Sequence, residues 1–85
     1  MTAYRPTYNA SWTFFPDAVY IIDEKTKDLI TLKEDGIALW RNITKRLAVS
    51  DIIANMVRPG HEHEDESVIL NNISILVRLG IVEEI

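Results

Sequence analysis

The residues best suited to chemistry lie in one run, His61-Glu62-His63-Glu64-Asp65-Glu66. Histidines two apart on a loop can share a metal ion, with a Glu as third ligand. No other His and no Cys exists in the chain to close such a site. The same run also reads as a solvated acidic loop, whose carboxylates suit the positive end of a helix starting near Glu64. A nucleophilic triad needs Ser or Cys with His on a supporting turn, and no nucleophile-elbow sequence occurs. Glycines stand only at Gly36, Gly60 and Gly80, too dispersed for a phosphate-binding loop. Pairs of carboxylates can be drawn at will from thirteen acidic residues, so they assign no acid–base role. The sequence therefore leads us to expect no catalytic residue, no metal and no cofactor.

Charge narrows the partners. Nine Lys and Arg stand against thirteen Asp and Glu, a net charge of −4. Phosphate backbones repel such a surface unless a local basic patch overrides the total. The densest basic pair is Lys45-Arg46, too little for a stripe. At 85 residues, with 47% apolar and 26% charged residues, the chain reads as one small soluble domain. The absence of cysteine removes a disulfide framework, and a cytoplasmic location is expected. The N-terminus lacks the apolar core of a signal peptide, and no apolar run approaches the ~20 residues that span a bilayer.

Three β-like runs come first. Trp12–Phe15 is aromatic and ends at Pro16, Ala18–Ile22 is β-branched and aromatic, and Leu29–Leu32 resumes that composition after the polar run Asp23–Asp28. The last two read as a hairpin. From Lys33 the apolar period becomes helical. Leu39, Trp40, Ile43 and Leu47 share one face, and Val49, Ile52, Ile53, Met56 and Val57 share that of a second helix stopped by Pro59-Gly60. A third helix runs to about Leu79, with Gly80 placed to end it in a left-handed residue and Ile81-Val82 free to pack back. The expected fold is α+β: a three-stranded antiparallel sheet followed by three helices, a winged helix-turn-helix-like order in a single domain.

The third helix is broader in its apolar surface than a surface helix requires. On a wheel of 100° steps, Asn71, Ser74 and Arg78 form a narrow polar sector. Ile69, Ile73 and Leu76 form the apolar centre, with Val68, Ile75 and Leu79 on one flank and Leu70 and Val77 on the other. The apolar arc is about twice the ~100° of an amphipathic surface helix. Either this is a central helix covered on both sides, or one flank is a groove beside a sheet edge, a place where peptides bind. Asn72 sits inside the apolar arc, where it can bond a visiting peptide backbone, an internal carbonyl or solvent.

DNA binding is the use to which a winged helix-turn-helix is most often put. There the start of the recognition helix faces bases and phosphates. Here that start carries Glu62, Glu64, Asp65 and Glu66, and the helix's only basic residue, Arg78, lies at its far end. The electrostatics oppose nucleic acid, and a structural or dimerisation domain stands as a further alternative.

Val19-Tyr-Ile-Ile-Asp-Glu-Lys-Thr-Lys-Asp-Leu-Ile-Thr-Leu32, followed by Gly36-Ile-Ala-Leu-Trp40, resembles the PqqD-like family of precursor-peptide recognition elements. Ile69, Ile73, Leu76 and Leu79-Gly80-Ile81-Val82 resemble the closing helix and tail of that family. The chain departs from the family pattern at Lys45-Arg46, where a Gly is usual, and at Ala48, where a Thr or Ser cap is usual. The resemblance implies a non-catalytic chaperone. Such a protein holds the leader of a ribosomal precursor peptide and presents it to a modifying enzyme, a radical SAM enzyme or a leader peptidase. It also implies that the leader adds as a strand along Leu29, Ile30, Thr31 and Leu32, over the helix flank of Val68, Asn72, Ile75 and Leu79. No nucleic acid or membrane partner is implied.

Overall fold

The computed structural model describes all 85 residues. The elements run β1 (Tyr4–Pro6), β2 (Ala10–Phe15), β3 (Ala18–Asp23), β4 (Leu29–Leu32), α1 (Asp35–Thr44), α2 (Val49–Met56), α3 (Glu62–Arg78) and β5 (Val82–Glu84). The sheet order is β2-β3-β4, antiparallel throughout. Strand alternation places Phe14, Val19, Ile21, Ile30 and Leu32 on the face that meets the helices. Leu39, Trp40 and Ile43 of α1, Ile52 of α2, and Ile69, Ile73 and Leu76 of α3 complete the core with Ile81 and Val82. Trp40 is fully buried, its indole N–H has no hydrogen-bond partner, and the Trp12 ring stands edge-on to it at 5.5 Å. No helix is long and apolar enough to cross a membrane.

Three features depart from the expectation. First, the chain ends form a second sheet: β1 pairs antiparallel with β5, placing Tyr4 opposite Glu84 and Pro6 opposite Val82. Burial of Ile81 and Val82 brings β5 to β1. Second, α1 stops at Thr44, so Leu47 packs half-buried from the connection instead of from the helix. Arg46 takes a left-handed backbone there (φ 57°), in the stretch where the resembled family carries Gly. Third, α3 begins at Glu62, two residues before the expected start.

The helix ends have separate causes. Ala48 precedes α2 and offers no side-chain cap. The Val49 N–H instead donates to the Thr2 carbonyl at 2.8 Å, so the N-terminal segment caps α2 with its backbone. Gly80 ends α3 at φ 82°. Its N–H donates to the Val77 carbonyl at 3.0 Å and that of Ile81 to the Leu76 carbonyl at 3.4 Å, a Schellman motif.

Candidate functional site

β4 is an edge strand, so half of its backbone groups have no ladder partner. The loop geometry identifies which half. The Asp23 N–H donates to the Asp28 carbonyl at 3.0 Å and the Lys27 N–H to the Asp23 carbonyl at 2.7 Å, with Lys27 left-handed at φ 67°. On the other side of β3, the Glu24 N–H donates to the Asn9 carbonyl at 2.8 Å. Odd-numbered residues of β3 thus bond β4 and even-numbered residues bond β2. Antiparallel pairs alternate, and Ile21 opposes Ile30 while Val19 opposes Leu32. The N–H and C=O groups of Leu29 and Thr31 therefore point away from β3, along the free edge. β4 itself carries no charge, proline or bulge that would block a further strand.

Beside this edge runs a trough in two segments. The sheet-end segment, about 240 Å³, has Thr31, Leu32 and Lys33 on one side, Asn72, Ile75 and Leu76 of α3 on the other, and Gly36 and Leu39 of α1 between them. The far segment, about 90 Å³, continues along α3 past Asn72 to Ile69, Val68 and Asp65, with Asp35, Leu39, Met56 and Arg58 opposite. Leu39 and Asn72 line both. Gly36 allows the start of α1 to lie close on β4, since a Cβ there would stand 3.0 Å from the Leu32 Cβ.

The residues expected at the site divide accordingly. Thr31, Leu32, Asn72 and Ile75 meet in the sheet-end segment, and Val68 with Asn72 lines the far one. Leu29, Ile30 and Leu79 line neither. The Leu29 side chain is exposed on the outer sheet face, Ile30 packs half-buried against the core, and Leu79 is exposed as the residue capping α3. The Asn72 side chain makes no hydrogen bond within the protein and is exposed at the trough, which removes the internal carbonyl and leaves it open to solvent or a peptide backbone. Leu39 and Leu76 read as core from periodicity. They are buried, and the trough floor is formed by what remains of them. Lys33, Asp35 and Arg58 carried no sequence signal for this site.

The far segment is held by one ion pair. Arg58 donates from Nε and Nη2 to the two Asp65 oxygens at 3.0 and 2.8 Å, and its backbone N–H adds a third bond at 2.8 Å. These bonds hold the Asp65 carboxyl down at about 2, against an ordinary 3.8, and raise the Arg58 guanidinium. The Gly60 N–H donates to Glu62 at 3.1 Å, and backbone N–H groups at this helix start lower the Glu62 carboxyl too. His61 faces Glu64 at 3.8 Å, and no group of three His, Asp or Glu side chains gathers there.

The opposite flank of α3 is also open. Leu70 and Val77 are exposed and line a third cavity with Tyr4, Val49 and Ile73. Neither flank of the helix is covered, so its wide apolar arc is not that of a central helix. No protein-family model, curated protein or solved structure matches the chain.

Proposed function

We propose that this protein is a non-catalytic peptide-binding chaperone that takes the leader of a ribosomally made precursor peptide as an added strand on β4 and presents it to a modifying enzyme. The observation that carries the reading is the pairing of a free, uncharged strand edge with a trough that presents Leu32, Leu39, Ile75 and Leu76 at the same place. Backbone bonds to Leu29 and Thr31 hold an extended peptide in register, and alternate side chains enter the trough. The sequence resemblance to PqqD-like proteins supports the choice of a precursor leader, and of a radical SAM enzyme or leader peptidase as the next partner. The helix-turn-helix-like order of α1 to α3 belongs to the same reading, with the wing edge used for peptide instead of DNA.

Each large apolar side chain fully buried contributes about 1.5–3 kcal/mol. Two or three of these plus strand bonds, less the ordering of a flexible peptide, leave about −7 to −10 kcal/mol, micromolar to tens of nanomolar. Ile75 is 39% exposed and lines the trough, so its removal should spare the fold. In Ile75→Asp a bound peptide would desolvate a carboxylate, and affinity for a labelled leader encoded beside this gene should fall about tenfold or more. Calorimetry reads the affinity and circular dichroism the fold. Unchanged affinity in a folded variant places the site elsewhere.

A further inference from the structure

The sheet has a second free edge, β2, on the side opposite β4. The even-numbered residues of β3 bond β2, and their partners there are Ser11, Thr13 and Phe15. The N–H and C=O groups of Trp12 and Phe14 therefore point outward. No turn or loop carbonyl takes up either N–H. β2 has no charge, proline or bulge to close its edge. Trp12 is exposed and Phe14 half-buried on the helix-facing side of the sheet. The Arg41 guanidinium lies over the Phe14 ring, 5.0 Å from its centroid, and Lys45 follows about one helical turn later. Both cations are exposed and neither takes part in an ion pair.

We infer that β2 is a second strand-addition site, for an extended acidic segment of a partner protein that sets a carboxylate opposite Phe14. The outward N–H and C=O of Phe14 bond the residue opposite, whose Cα then lies about 5.5 Å from that of Phe14. Its side chain falls on the helix-facing side, where Arg41 already lies over Phe14. A carboxylate there meets a guanidinium whose donors suit it. The residue two positions away shares that face and opposes Trp12, so an apolar side chain fits it. The same features oppose a second copy as occupant. Two-fold pairing of β2 with itself about Thr13 sets each Phe14 opposite a Trp12 and brings the two Arg41 side chains toward each other, a like-charge clash. Pairing about Trp12 sets Phe14 opposite Ala10, whose N–H already donates to the Thr7 carbonyl at 3.1 Å. The site stands apart from the peptide reading of β4, because the two edges lie on opposite sides of the sheet and either can be filled alone.

The test titrates ¹⁵N-labelled protein with end-blocked Thr-Ile-Thr-Glu-Thr-Ile-Thr, whose pattern is the same in either strand direction. Controls carry Gln or Lys in place of Glu, or N-methyl groups on Glu and both Ile, the residues whose N–H groups face β2. The Trp12 and Phe14 amide signals should move. The Glu peptide should bind about fivefold tighter than the Gln peptide, and the Lys peptide should bind weakest. N-methylation should weaken binding about tenfold or more. Arg41→Gln, at an exposed position, should fold as the parent does and remove most of the difference between the Glu and Gln peptides. Equal affinity for those two peptides in the parent, or a preference that survives Arg41→Gln, overturns the inference. Shifts confined to Leu29 and Thr31 overturn it as well and leave strand addition to β4 alone. Trp12 and Phe14 signals that depend on protein concentration without peptide would put a second copy on β2, against the inference.

Discussion

Asp65 shows how one carboxylate can shape both the trough and the acid stability of the fold. Its carboxyl titrates at about 2 in the folded chain, against 3.8 ordinarily, because Arg58 bonds its charged form. The unfolded chain therefore binds the proton more readily, and the stabilisation is complete above the unfolded value and lost as pH falls toward 2. Asp23, lowered chiefly by the Asn9 side chain, acts in the same direction in the acid range. Asp65→Asn should be less stable than the parent near neutrality, and its stability should fall less steeply between about pH 4 and 2. Guanidinium unfolding at a series of pH values checks this, and parallel slopes would count against the linkage. Asn9 is a second residue-scale case. Its side-chain amide donates to Asp23 at 2.8 Å and to the Gly80 carbonyl at 3.2 Å, tying the hairpin to the end of α3. Asn9→Ala leaves both acceptors without this donor and should cost about 1–3 kcal/mol, read as a lower denaturation midpoint. Neither partner was legible in the sequence, because they lie 14 and 71 residues away and no local pattern marks them.

At the scale of elements, strand addition separates from ordinary groove binding through proline. The Thr31 N–H points along the free edge, so Thr31→Pro removes no bond to β3 and edge strands tolerate the ring. The variant should fold, yet lose peptide affinity by about tenfold or more, because it blocks a bond only the added strand would make. Ile30→Pro instead removes a ladder bond and should unfold the hairpin. Circular dichroism with peptide titration distinguishes the two, and full affinity in Thr31→Pro would rule out augmentation at this edge. The same scale shows what the sequence could tell. The β-branched and aromatic composition of Ala18–Ile22 and the width of the apolar arc on α3 marked strand and helix, and through them Ile75 and Val68 as open flank residues. Both signals are local. β1 and β5 have three residues each, too few for a period, and their pairing joins residues nearly eighty apart. Leu79 shares the wheel position of the flank but caps the helix, beyond the cavity that Ile75 lines.

For the whole molecule, the distribution of charge decides whether the helical half can serve DNA. The chain carries −4, and α3 starts with Glu62, Glu64, Asp65 and Glu66. The structure softens this in one respect: Arg58 lies against the helix start and neutralises Asp65. Glu62 is held ionised by backbone N–H groups, Glu64 is exposed, and Asp35 adds a further anion across the trough. A phosphate approaching the start of α3 therefore meets more unpaired anions than cations. Non-specific DNA affinity comes almost wholly from cations that displace counterions, and DNA-binding domains show it at about 10⁻⁴–10⁻⁶ M at physiological salt. A random duplex should thus show no retardation with this protein up to about 100 μM at about 150 mM salt, and lowering the salt should not produce the steep gain of counterion release. Replacing Glu62, Glu64 and Glu66 together by Gln gives the contrast. If charge at the helix start is what excludes phosphate, the triple variant should gain measurable low-salt affinity while the parent gains none. A retarded parent complex whose affinity falls steeply with added salt would place a cationic surface somewhere this charge map does not.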